Sequence, residues 1–99
     1  MCEDISPEEL KKRLSNGDQF LFIDVREEWE FEEKNIGAKC FPLHSLPTRL
    51  EELKPVSQEI IVHCKSGSRG NQAKKFLISN GFEQVRNMTG GIEAYLKLN

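Results

Sequence analysis

No stretch of the chain approaches the roughly 18 consecutive apolar residues that a membrane-spanning helix needs. The first residues, Met1-Cys2-Glu3-Asp4, lack the basic stretch followed by an apolar run that marks an export signal. A cytoplasmic location with no membrane partner is the expectation. Cysteine is scarce: Cys2, Cys40 and Cys64 make an odd count of 3 at no paired spacing. That argues against a disulfide framework or a zinc knuckle and for a reducing compartment. Lysine and arginine runs of the kind that grip phosphate backbones are missing, and a formal net charge of -2 is too small to steer partners, so nucleic acid is not an expected partner. Internal repeats and low-complexity linkers are absent as well, and residues 1–99 are read as a single domain.

What is present alternates. Ser6-Pro7-Glu8-Glu9 reads as a helix start, with Ser6 as N-cap, Pro7 at the first helical position and Glu9 reaching back to complete a capping box. Gly17 ends that helix. Phe20 to Asp24 is too short and too apolar for a surface helix and reads as a strand buried on both faces. An acidic segment, 27–33, suggests a short helix in which Trp29 and Phe31 are expected to pack, the usual fate of aromatics in small domains. A second short strand is expected over 38–42. Leu46, Leu50 and Leu53 then fall at helical intervals before Pro55. Residues 59–63 form the strongest strand pattern; a helix carrying Ala73, Phe76 and Leu77, a last strand over 84–87 and a closing helix over 92–98 follow. Strands alternating with helices predict an α/β fold: a small, mostly parallel sheet of four to five strands with helices on both faces.

In such sheets ligands bind beyond the carboxyl ends of the strands, where Cys64 is placed, directly after Ile60-Ile61-Val62-His63. The small residues Ser66, Gly67, Ser68 and Gly70 permit a tight curl that turns backbone N–H groups towards the sulfur. A helix N-terminus, Lys65 and Arg69 add positive charge, and together these favour a thiolate. A buried, inert cysteine is the ordinary alternative, and it suits Cys40, beside Phe41 in an apolar stretch, better than Cys64. His63 precedes Cys64 on a strand, so alternation turns it away from the sulfur, to core or surface. His44 reads as a surface residue.

The run Cys64-Lys65-Ser66-Gly67-Ser68-Arg69 resembles the active-site loop of rhodanese domains, commonly Cys-x-x-Gly-x-Arg, whose amides surround the sulfur of a cysteine persulfide. Ile23-Asp24-Val25-Arg26-Glu27, then Ile36-Gly37-Ala38 leading to Pro42-Leu43, and Gly90-Gly91-Ile92 extend the resemblance over nearly the whole chain. Two departures stand outside the loop: Lys34-Asn35 where a glycine-histidine pair is usual, and Tyr95 where a tryptophan is common. The resemblance implies a sulfurtransferase that needs no metal or organic cofactor. Cys64 carries a sulfane sulfur taken from a small anionic donor such as thiosulfate, or from a persulfide, and passes it to a thiol, a protein or cyanide. Lys65, Ser66, Gly67, Ser68 and Arg69 are the expected substrate-binding residues, with Asp24 and Arg26 behind them, more simply as an ion pair bracing the loop. Arg69 suits either a substrate anion or a structural carboxylate, since arginine forks serve both. Two other classes compete. A rhodanese fold can serve as a non-enzymatic redox-sensing or protein-binding module. A cysteine phosphatase shares the His-Cys start but needs five residues between cysteine and arginine to wrap a phosphoryl group, where this chain has four between Cys64 and Arg69.

Overall fold

The computed structural model describes residues 3–53 and 59–98; Cys2 and Pro55 lie outside them. Ser6 accepts the Glu9 amide at 3.1 Å and opens α1 (Pro7–Asn16), as a serine N-cap followed by proline should. The Glu9 carboxylate, expected to close a capping box on Ser6, lies instead 3.4 Å from Arg86, because the guanidinium offers it a charged partner.

The strands β1 (Leu21–Asp24), β2 (Lys39–Cys40), β3 (Ile60–His63) and β4 (Val85–Asn87) form one sheet, every pairing parallel, in the order β2-β1-β3-β4. Ile5 adds a single parallel bridge to Met88, just past β4. Between the strands run α2 (Glu28–Glu33), a 3-10 turn (Leu43–Ser45) continued by α3 (Leu46–Leu53), and α4 (Ser68–Ser79), with α5 (Gly91–Leu96) at the end. Among the described residues the α/β architecture therefore has four strands plus one bridge, within the range expected from the sequence.

Period-two alternation sorts the strand side chains into two cores. Ile23, Val62 and Val85 face Leu46 and Leu53 of α3 and Ala73 and Leu77 of α4. Phe22 and Ile61 face the other way, onto Ile5, Leu10 of α1 and Met88, with Tyr95 of α5 partly covering them. All four residues of β3 are buried, which is why its first three, Ile60, Ile61 and Val62, read as an apolar run without alternation. Each fully buried leucine or isoleucine contributes about 1.5–3 kcal/mol relative to exposure.

Two further expectations need correction. The strand expected over 38–42 is reduced to Lys39–Cys40. Phe41 still donates to the Asp24 carbonyl at 2.8 Å, but Pro42 has no N–H to offer and leads the chain into the 3-10 turn. Trp29, expected to pack, is 62% exposed. A helix as short as α2 has one inward side, and the half-buried Glu30 and Phe31 occupy it. No helix among the described residues is long and apolar enough to cross a membrane.

Candidate active site

The sheet order places β3 beside β1, and β2 and β4 lie outward in opposite directions, so the chain reverses its winding between β1 and β3. The ends of those two strands are where a parallel sheet leaves a crevice. Cys64 follows β3 there and is 1% exposed, so its sulfur lies at the floor of the loop that begins with it. Lys65, Ser66 and Ser68 are exposed around it, and Arg69 is half-buried.

Gly67 shapes the curl. Its backbone sits at φ +117, a left-handed conformation that other residues rarely adopt, and its N–H donates to Cys64 Sγ at 3.0 Å. The Gly67 carbonyl accepts from the Asn71 N–H at 3.0 Å, the first turn of α4, and from Asn87 Nδ2 at 3.0 Å. The sulfur is thus held by an amide immediately before the N-terminus of a 12-residue helix, whose first unpaired N–H groups carry partial positive charge.

A second helix end supports the loop from below. The Ile92 and Glu93 amides, in the first turn of α5, donate to the Cys64 carbonyl at 2.8 Å and the Lys65 carbonyl at 3.1 Å. These are donors that no intrahelical carbonyl can satisfy, so the loop and the helix complete each other's hydrogen bonding. Gly91 makes that approach possible. A Cβ on it would lie 2.4 Å from the backbone of Lys65 and 2.6 Å from the Cys64 carbonyl oxygen, and its φ is +63.

Arg69 forks onto Glu30 of α2, with N–O distances of 2.6 and 3.0 Å. The same carboxylate accepts the Glu27 amide at 2.9 Å. Asp24 and Arg26 form the expected ion pair: Arg26 binds both Asp24 oxygens at 2.6 to 3.1 Å, and both residues are buried. The other bond of that guanidinium runs to the Lys34 carbonyl at 2.7 Å. The pair therefore anchors the segment just after α2, the helix whose Glu30 grips Arg69, and acts on the Cys64 loop at one remove.

His63 points away from the sulfur, as strand alternation requires. It is fully buried against Phe22, with ring centroids 5.2 Å apart, and its Nε2 stands 3.6 Å from Asp24. Burial pushes its pKa below the ordinary histidine value, against the opposing pull of Asp24, so the ring is neutral at neutral pH. His44 is exposed, its Nδ1 3.6 Å from Glu27. Cys40 is half-buried, and burial pushes its thiol up, the setting of an inert cysteine.

The model of the rhodanese-like domain matches residues 6–98. The chain belongs to the rhodanese-like domain family. A protein of Allochromatium vinosum called a sulfurtransferase is 33% identical over 98 residues, covering 98% of this chain and 91% of that protein. The chloroplastic rhodanese-like/PpiC domain-containing protein 12 of Arabidopsis thaliana is 39% identical over 101 residues, and the chain spans 33% of its length. Among solved structures, the rhodanese-like domain of an Anabaena protein matches with a TM-score of 0.87 at 31% identity, covering 97% of this chain and 74% of that one.

Within this rhodanese-like domain the sequence offered no local sign of Glu30, Asn87 or the α5 amides as supports of the loop. Glu30 is one of several acidic residues in its segment, and its partner Arg69 is 39 positions away. Their pairing has a measurable consequence. The Arg69 guanidinium holds the Glu30 carboxyl down at about 2, well below its ordinary 4.5. Because the folded value lies below the unfolded one, the tie contributes in full above about pH 4.5 and is lost as pH falls through about 2. A titration of the Glu30 side-chain carboxyl by 13C NMR is expected to give a midpoint near 2; one near 4.5 would mean that the fork is open in solution.

Proposed function

We propose that the chain is a sulfurtransferase that moves a sulfane sulfur from thiosulfate, or from a persulfide donor, to a thiophilic acceptor through a persulfide on Cys64. The observation that carries this reading is the Gly67 N–H donating to Cys64 Sγ at 3.0 Å beside the start of α4, an arrangement that favours an anionic sulfur. The Cys64 thiolate attacks the outer sulfur of thiosulfate; a new S–S bond forms, the S–S bond within the donor breaks, and sulfite leaves with the electron pair. Cyanide or a thiolate then attacks the outer sulfur of the persulfide and takes it away, returning Cys64 to the thiolate. Neither step calls for a general acid, which agrees with a His63 that is neutral, buried and turned away. A sulfur at the floor of the loop favours donors whose reacting atom is slender and terminal, and the outer sulfur of thiosulfate is both.

Lys65, exposed next to Cys64, is the cation that draws the donor dianion in. Arg69, committed to Glu30, serves the loop first and the substrate second. Steady-state conversion of thiosulfate and cyanide to sulfite and thiocyanate tests the reading: parallel double-reciprocal lines are expected. In Lys65→Ala, KM for thiosulfate should rise about 5- to 30-fold at low salt and kcat should change little, since each unit of the dianion's charge a few ångströms away in water is worth about 1 kcal/mol. Absence of thiocyanate formation by the unaltered chain with any sulfane donor would sink the proposal.

A further inference from the structure

Asn87 closes β4 and is 4% exposed. Its Nδ2 donates to the Gly67 carbonyl at 3.0 Å. Its Oδ1 is buried and has no hydrogen-bond partner among the described residues. A buried acceptor left unpaired is destabilising, so an asparagine is a poor choice if the position has only to be filled. The rest of the residue is clamped: its N–H donates to Asp4 Oδ1 at 3.1 Å, and its carbonyl accepts the Ile5 N–H at 3.0 Å. Gly70, in the first turn of α4, leaves the room it needs, since a Cβ there would stand 2.2 Å from Oδ1 and 3.0 Å from Cγ. Gly67 is therefore gripped at both polar ends, by the sulfur on its N–H and by Asn87 on its carbonyl.

We propose that Asn87 is a positioning residue for the sulfur site: by holding the Gly67 carbonyl it fixes the left-handed backbone that aims the Gly67 N–H at Cys64 Sγ. Its effect on rate rests on the sulfur-transfer reading, while its effect on Gly67 belongs to the resting protein. Two variants of the full chain separate these. Asn87→Leu removes the donor at similar size. Gly70→Ala leaves Asn87 in place but pushes its amide off Gly67, and it adds helix propensity to α4.

In each reduced variant, the Gly67 amide proton should move upfield in the 1H-15N spectrum and exchange faster with solvent. The rate of sulfur addition from thiosulfate should fall about 10- to 100-fold while the endpoint stays at one sulfur per chain, the mark of misplacement as opposed to lost protein. Should Asn87→Leu fail to fold, Gly70→Ala decides by the same spectrum. A Gly67 amide at its original position in a folded variant overturns the proposal, as does a displaced amide with an unchanged loading rate. If the unaltered chain takes up no sulfur, the sulfurtransferase reading fails, and the Gly67 spectrum still decides whether Asn87 positions the loop.

Discussion

Gly91→Ala is expected to cost about 2–4 kcal/mol of stability, combining left-handed backbone strain with overpacking, and to slow sulfur loading about 100-fold or more. The added methyl would fall 2.4 Å from the Lys65 carbonyl carbon and oxygen and 2.6 Å from the Cys64 carbonyl oxygen. These are backbone atoms of the loop, with no flexible side-chain end to swing aside, so α5 or the loop has to move. Either movement breaks the Ile92 and Glu93 bonds that hold the Cys64 and Lys65 carbonyls. Gly81→Ala is the control: Gly81 shares the left-handed backbone at φ +95, but its added methyl meets nothing within 4 Å. That variant should lose about 1–2 kcal/mol to strain and keep its loading rate. Denaturant unfolding and stopped-time mass analysis of both variants check the pair of expectations. A folded Gly91→Ala protein that loads at the original rate would mean that α5 does not shape the loop.

The sheet was legible because its signal is local. Strands buried on both faces must be short and apolar between turn residues, and β1 and β3 are. Leu46 and Leu53, read as one helical face, are fully buried in one core. The position of Cys64 was legible because its neighbours in sequence are also its surroundings: a buried strand before it, small residues after it and a helix start beyond them; of the several loop amides expected to face its sulfur, the Gly67 N–H is the one that donates to it among the described residues. Its supports were not legible. Glu30 meets Arg69 across 39 positions and Asn87 meets Gly67 across 20, and each contact depends on how separate elements come to rest on one another, which no window of sequence encodes. Trp29 misled for a related reason: an aromatic is usually drawn inside, but the inward side of α2 is filled by Phe31 and by the carboxylate that Arg69 requires. Asp24 and Arg26 were correctly expected as an ion pair, though the segment they anchor, at Lys34, could not be read from two residues on one strand end.

Cys64→Ser is expected to abolish sulfur loading outright, since a serine hydroxyl offers no thiolate to attack the donor and forms no persulfide. The fold should survive: the substitution exchanges the sulfur for a smaller oxygen in a loop fastened by the Asn87, Ile92 and Glu93 bonds, none of which uses the sulfur. Loss of function in a folded variant would thus report on the chemistry of one atom. The measurement that bears most directly on the persulfide mechanism is the intact mass of the protein after incubation with thiosulfate under non-reducing conditions, taken beside this variant. The mechanism predicts a gain of one sulfur, about 32 Da, that is reversed by cyanide or dithiothreitol and absent from Cys64→Ser. An unchanged mass with thiosulfate and with other sulfane donors, or a gain that persists in Cys64→Ser, would contradict it.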